Sequence, residues 1–420
     1  MFCTLLLALT LGGLIAHSLG HQLQVLRTST PGTAYPLSIY GLLAVPGTRE
    51  TPGTPGAAGA DFSQVYTSGL ALRHGESAYT PKSREFKDKF GRRSGYPPPM
   101  NWLYVPLTYL PYGQALLVHS FGTFAALLGV SALLLWRMQL QRRIAVVLAV
   151  QAALLWLTPI GFTHLERGQH DIVMGLSAAL AVACSFWPKR PYGLALSSGL
   201  LGALKWTALP FLGCFSALAF LTGTGLKRWL FLAIPLVTAL VTACFHEGVL
   251  EYWQTIRIYE LEAQPFGLTL QYFLPRLPAK LVPVLATLVL VGIVWLRRET
   301  RSERDAAFRA IAVPFAIALM NLAICFGTLS YEYHTVATVA MIPGLVIWIE
   351  TEQRASNAVK LVAALGYALF LAVAFRPYEQ FLQLSPPAMT GVYAACTALF
   401  LILCAVVLFT FGKNQPSAAA

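Results

Sequence analysis

Charge is what this chain has least of. Only 11% of its 420 residues are Asp, Glu, Lys or Arg, where a soluble globular domain carries about 25%. That excludes a conventional soluble enzyme. Carboxylates are the scarcer sign, 18 against 30 Lys and Arg. The seven cysteines (Cys3, Cys184, Cys214, Cys244, Cys325, Cys396, Cys404) all lie in apolar segments and form no CxxC pair. They read as small core residues, which excludes a disulfide framework and a cysteine metal site. A Gly-rich P-loop, a GxSxG elbow and an HExxH helix are also missing.

What the chain has instead is apolar sequence. Hydrophobic residues make up 56%, and runs of roughly twenty recur from end to end, long enough to cross a hydrocarbon core about 30 Å thick. A membrane β-barrel would show alternating segments of about ten residues, and none is present. The reading is an all-α polytopic membrane protein, residues 1–420 forming one integral domain. The net charge of +12 is not gathered on a soluble stretch. Basic residues stand at the ends of apolar runs, as topology signals do, so nucleic acid is not an expected partner.

Spans are expected near 2–20, 114–136, 144–162, 172–187, 194–204, 206–222, 230–246, 279–296, 310–327, 335–350, 361–375 and 389–411. The first lacks a basic leader and a small-x-small cleavage site, and reads as a retained span. Arg137, Arg142, Arg143, Lys189, Arg190, Lys227, Arg228 and the arginines between 297 and 309 then fall on one side. The positive-inside rule makes that side, and both termini, cytoplasmic. Residues 194–221 are apolar except for Lys205. The charge rule favours a hairpin turning near Lys205-Trp206 over a single crossing. Residues 21–113 become a large first extracytoplasmic loop. Its Pro- and Gly-rich part, 27–60, reads as irregular chain. Asp61 then opens an amphipathic helix, and Tyr96-Pro97-Pro98-Pro99 leads into a second interfacial stretch.

Polar residues are few enough to weigh singly. Asp61 before an apolar run reads first as a helix N-cap. It is also a carboxylate at a membrane face, where it can act as a base. His334 closes Ser330-Tyr331-Glu332-Tyr333-His334 between two apolar spans. That is an outer turn, or an acid–base or phosphate-contacting group. Lys205 either snorkels to the interface or binds an anionic headgroup as a point charge. His164, Glu166, His170 and Asp171 crowd one outer loop. Their spacing matches no metal motif, and hydrogen bonds to a sugar suit them better.

In order, these features resemble glycosyltransferase family 87. That family belongs to the GT-C superfamily and includes mycobacterial polyprenyl-phosphate-mannose-dependent mannosyltransferases. Asp61-Phe62-x-x-x-Tyr66 followed by Gly75 and Tyr79 is similar to its opening motif, and Tyr96-Pro97-Pro98 to its YPP element. Gly168-Gln169 is similar to its GQ pair, where members often carry Asn at the position of Arg167. Gly199–Pro210 and Ser330–His334 are similar to its later G…K…P and S…H segments. The resemblance implies a GT-C bundle of about 12 helices in the inner (plasma) membrane, with its site on the extracytoplasmic face. It implies an inverting transfer of a sugar (mannose or a related hexose or pentose) from a polyprenyl phosphate to a lipid or glycan acceptor. Asp61 is the implied base and His334 its catalytic neighbour. Lys205, Tyr66, Tyr96, Gln169 and Glu332 are the implied substrate contacts. The chain has no DxD pair, and neither a metal nor a cofactor is expected. The rival reading is a transporter or flippase for a lipid-linked sugar, whose charges should lie near mid-bilayer in repeated halves. No internal repeat is visible.

Overall fold

The computed structural model describes residues 61–88, 91–158, 160–161, 164, 167–187, 191–224, 227–262, 264–327, 329–330, 332–375 and 385–410. The expected first span at 2–20, the 27–60 segment and Glu166 lie outside them, as does the side chain of Glu332. The described chain is helical apart from one two-residue parallel pairing, Phe266–Gly267 with Leu329–Ser330.

Two short helices precede the bundle, α1 (Phe62–Arg73) and α2 (Pro98–Tyr104). The bundle itself begins with α3 (Tyr112–Arg137) and α4 (Gln141–Trp156). It continues through α5 (Asp171–Phe186), α6 (Tyr192–Leu204), α7 (Leu209–Thr222), α8 (Lys227–Ala243) and α9 (His246–Glu262). The second half holds α10 (Arg276–Arg297), α11 (Arg301–Ile324), α12 (Val336–Val339), α13 (Ile342–Thr351), α14 (Asn357–Ala374) and α15 (Pro386–Thr410). Five of these, α3, α10, α11, α14 and α15, are long and apolar enough to cross a membrane. A sixth crossing results if α8 and α9 count as one span, although they bend by 104° where they join.

Helix α11 is the axis. It is apolar on every side, and its spanning stretch is 94% buried, against 28% for α3 and α10. Helices α7, α10 and α15 pack around it. The outer helices show the reverse pattern. On α10, Leu281, Leu285 and Leu288 form an exposed stripe, while Ala279, Pro283, Leu290 and Val294 on other faces are buried. An apolar stripe of this kind suits lipid as solvent.

The hairpin expected at Lys205 has a geometric basis. Helix α6 stops at Leu204, Lys205 is extended, and Trp206–Ala208 form a 3-10 turn into α7. The Thr238 hydroxyl donates to the Gly199 carbonyl at 2.9 Å. A Cβ on Gly199 would meet Ile234 O, and one on Gly202 would meet Thr238. Later residues of α6 thus face later residues of α8. The two run in the same direction, which makes α7 between them the return arm. Helices α5, α6 and α7 have 16, 13 and 14 residues, about 24, 20 and 21 Å at 1.5 Å per residue. Each is shorter than a bilayer core of about 30 Å.

Candidate active site

Two serines set the level of the site. Ser177 and Ser198 donate to each other's carbonyls, both at 2.8 Å, and so lock α5 to α6. In antiparallel helices, about two turns back from Ser177 lies opposite about two turns on from Ser198. Those positions hold Asp171 and Lys205. Lys205 Nζ stands 3.2 Å from Asp171 Oδ1, with both side chains buried. A close approach on the other flank adds His334. A Cβ on Gly175 would come within 2.5 Å of the Ala337 carbonyl. Only glycine lets α12 lie this close to α5, and the turn before α12 then places His334 Nδ1 2.7 Å from Asp171 Oδ1. His164 Nδ1 is 3.7 Å from the other oxygen. Gly175→Leu is therefore expected to push the His334 turn away from Asp171. Adding Asp171→Asn should then cost less stability in the Gly175→Leu background than in the parent, because His334 has already left Asp171. Equal costs of Asp171→Asn in both backgrounds, read from thermal melts, would refute the wedge role.

Asp61 occupies the N-cap position of α1, yet its side chain accepts no hydrogen bond from the helix. Its carboxylate turns away, and the side chain is 6% exposed. Arg92 Nη1 lies 3.2 Å from Oδ1, and Arg167 Nε lies 2.5 Å from Oδ2. The Gln169 amide donates to Oδ2 as well. The Asp61 N–H donates to the Arg167 carbonyl at 3.0 Å. The capping interpretation of Asp61 thus describes its position and not its carboxylate. Gly168 makes this junction possible. Its φ is +65°, and a Cβ there would lie 2.5 Å from Phe62 Cβ, so a side chain is excluded by both conformation and space.

Asp61 and His334 each have a carboxylate–cation arrangement of their own. Asp61 pairs with two guanidinium groups, and His334 pairs with Asp171. The link between the two arrangements is the segment Gln169-His170-Asp171. Gln169 reaches Asp61, and Asp171 reaches Lys205 and His334. Between them, a buried relay fixes the backbone. The Gln169 carbonyl can only accept, so His119 Nε2, at 3.2 Å, is the donor. In a neutral ring His119 Nδ1 then accepts from the Tyr104 hydroxyl at 2.5 Å. The Tyr104 oxygen in turn accepts from His170 Nε2 at 2.9 Å. One carbonyl thereby sets two histidine tautomers.

Of the other expected contacts, Tyr96 places its ring 5.3 Å from Lys205 Nζ and edge-on to His170. Tyr66 donates its hydroxyl to the Leu110 carbonyl and packs with Phe62 and Tyr112. Arg92 reads from sequence only as one of several loop arginines able to attract lipid phosphate, and its pairing with Asp61 was not anticipated, nor were Tyr104 and His119. His170, in the polar cluster, and His119, a lone imidazole within an apolar span, were the visible signals of the relay.

Burial lowers the affinity of two of these rings for protons. It pushes His164 down to about 3 from 6.5, and holds His170 well below 6.5. As pH falls below about 6.5, the unfolded chain takes up protons that the folded chain refuses, so stability falls. His164→Leu is expected to flatten that decline in melts from about pH 7.5 to about pH 5. An equal slope in parent and variant would contradict it.

Residues 95–322, more than half of the chain, match a family model described as Glycosyltransferase family 87. The chain belongs to glycosyltransferase family 87. It is therefore a glycosyltransferase with membrane-spanning helices. No curated protein and no solved structure matches the chain. The matched stretch of this family 87 transferase holds Arg167, Gln169, Asp171 and Lys205. Asp61 and His334 lie outside it, and geometry alone ties them to it.

Proposed function

We propose that the enzyme transfers a sugar, mannose or a related hexose or pentose, from a polyprenyl phosphate to a lipid or glycan hydroxyl at the extracytoplasmic face. The observation that carries this reading is the pair of buried carboxylates joined through Gln169-His170-Asp171, each facing cations. A phosphodiester donor needs cations at its leaving group, and an acceptor hydroxyl needs a base. Both kinds of group converge here from α1, α5, α6 and the turn before α12.

In the proposed reaction, Asp61 takes the proton of the acceptor hydroxyl as its oxygen attacks the anomeric carbon. The bond from that carbon to the phosphate oxygen breaks, and the configuration inverts. The lipid phosphate departs as an anion that needs charge neutralisation more than a proton. Lys205 is its nearest point charge, and His334 is held toward it by Asp171. Arg92 and Arg167 occupy Asp61 in the resting arrangement. A donor phosphate competes for them and would leave the carboxylate open.

Incubating the purified protein in lipid nanodiscs with polyprenyl-phosphate-[14C]mannose and membrane lipids tests the reading. Radiolabelled glycan or glycolipid is expected, and no product from any polyprenyl-phosphate sugar would overturn it. For the membrane face, single cysteines in 61–95 and after Arg301 should label from opposite sides of intact cells. Labelling of both by one impermeant reagent would refute that orientation.

A further inference from the structure

Two clefts meet at His246, the second of them reaching Trp206 of the Lys205 turn, and neither belongs to the charge arrangements above. The first, of about 700 Å³, lies between the chain after α1, α2 and the start of α9. Glu76, Ser77, Tyr79, Asn101, Trp102 and Glu251 line it. Glu251 accepts from the Ser77 hydroxyl, and Asn101 donates to the Tyr79 hydroxyl at 3.0 Å. The second, of about 590 Å³, is apolar and lined by Leu209, Pro235, Ala239, Val249 and Leu250. His246 lines both clefts, so they are neighbours on either side of that residue. Leu250 is 71% exposed at the mouth of the apolar one.

We propose that the two clefts form one amphipathic site for the acceptor, a neutral saccharide carried on an aliphatic chain. This rests on the transferase reading above and adds the class of acceptor. The carboxylates of Glu76 and Glu251 and the Ser77 hydroxyl suit sugar hydroxyls, and the half-exposed Trp102 ring suits the apolar face of a sugar, while Tyr79 and Asn101 form the buried floor of the cleft. The charge decides between donor and acceptor. Among the described residues, neither lining holds a lysine or arginine, and Glu76 and Glu251 both line the polar cleft. A phosphodiester there would meet negative charge without a partner, whereas a neutral headgroup would not. The apolar cleft meets the polar one at His246 and is lined by exposed Leu250, the direction in which a lipid chain would run into the bilayer.

The placement also brings such a ligand to the chemistry. Trp206, which lines the apolar cleft, follows Lys205 in sequence and packs edge-on against Tyr252 at 4.8 Å. Tyr252 packs with Tyr79, and the Tyr79 hydroxyl donates to the Tyr96 carbonyl at 2.7 Å. The Tyr96 ring faces Lys205. A chain of touching aromatic residues, Trp206, Tyr252, Tyr79 and Tyr96, thus links the clefts to the cationic group.

The test is photolabelling of the full-length protein in phosphatidylcholine nanodiscs with two neutral alkyl mannosides. One carries a diazirine on the sugar, and the other carries it in the alkyl chain. Adducts of the first are expected on residues 76–79 and 101–102, and of the second near Ala239 and Val249. Unlabelled alkyl mannoside should block both. Its sugar-phosphorylated counterpart should compete at least about tenfold more weakly, the size of effect that unpaired like charge produces. Glu76→Gln with Glu251→Gln should narrow that gap. Adducts confined to the lipid-facing stripes of α3 and α10, or displacement of the probe by polyprenyl phosphate alone, would overturn the proposal. The readout is binding, so its failure is distinct from failure of transfer. A protein that labels as expected but transfers nothing refutes the donor reading, while one that transfers without cleft adducts refutes the acceptor site.

Discussion

Asp61→Asn is expected to extract and purify like the parent and to lose at least about a hundredfold in transfer. A positioned general base contributes roughly 10²- to 10⁴-fold, and Asn keeps the shape and an acceptor oxygen while losing the basic one. The structural cost should be small, because the side chain does not cap α1. Arg92 retains Asp88 at 2.6 Å, and Arg167 is 29% exposed to solvent. Ion pairs with a partner in that position are worth roughly 0–1 kcal/mol. Turnover at saturating donor, read beside thermal stability, separates the roles. Loss of a base lowers turnover and leaves stability near the parent's, whereas loss of a tether lowers stability. Near-normal turnover would move the base to Asp171, the other carboxylate on the joining segment.

Some of this was legible in the sequence because it follows from local chemistry. Apolar runs of about twenty residues gave the class, and α3, α10, α11, α14 and α15 fall where runs were read. A lysine alone in an apolar stretch marked the break between α6 and α7, since a charge at that depth is costly. The polar cluster 164–171 stood out as chemistry for the same reason. The bend between α8 and α9 was not legible. The stretch beyond residue 246 mixes charge with Leu250, Trp253 and Ile256, and such a pattern reads equally as loop.

Pairing was the other thing that sequence withheld. Asp61 and His334 looked like natural partners because each stood alone at the same face. Which carboxylate each cation meets depends on glycines, whose effect is spatial. Gly175 admits α12 to α5 and hands His334 to Asp171, while Gly168 admits Phe62 and hands Asp61 to Arg167 and Gln169. Neither contact leaves a trace in composition or period. Arg167 is the residue whose guanidinium lies nearest Asp61.

Lys205→Met is expected to destabilise the protein and to weaken use of the donor, and a second substitution separates the two effects. Asp171 is fully buried, with Lys205 at 3.2 Å and His334 at 2.7 Å. Removing one partner of a buried pair costs roughly 3–5 kcal/mol, because the remaining charge is stranded. Here the His334 ring keeps its hydrogen bond to Asp171 at 2.7 Å, so the loss should fall near the lower edge. Lys205→Met with Asp171→Asn removes both charges and should restore most of the stability. It should not restore the donor, since the point charge for the phosphate is still missing. The apparent Michaelis constant for the polyprenyl-phosphate sugar is expected to stay raised at least about tenfold in single and double variants alike, a loss of about 1.4 kcal/mol of binding. Lys205→Arg should recover only part of it, because a planar fork does not replace an ammonium. Recovery of both stability and donor kinetics in the double variant would make Lys205 a structural partner of Asp171 alone. The phosphate would then have to be held by Arg92 and Arg167, the two guanidinium groups at Asp61.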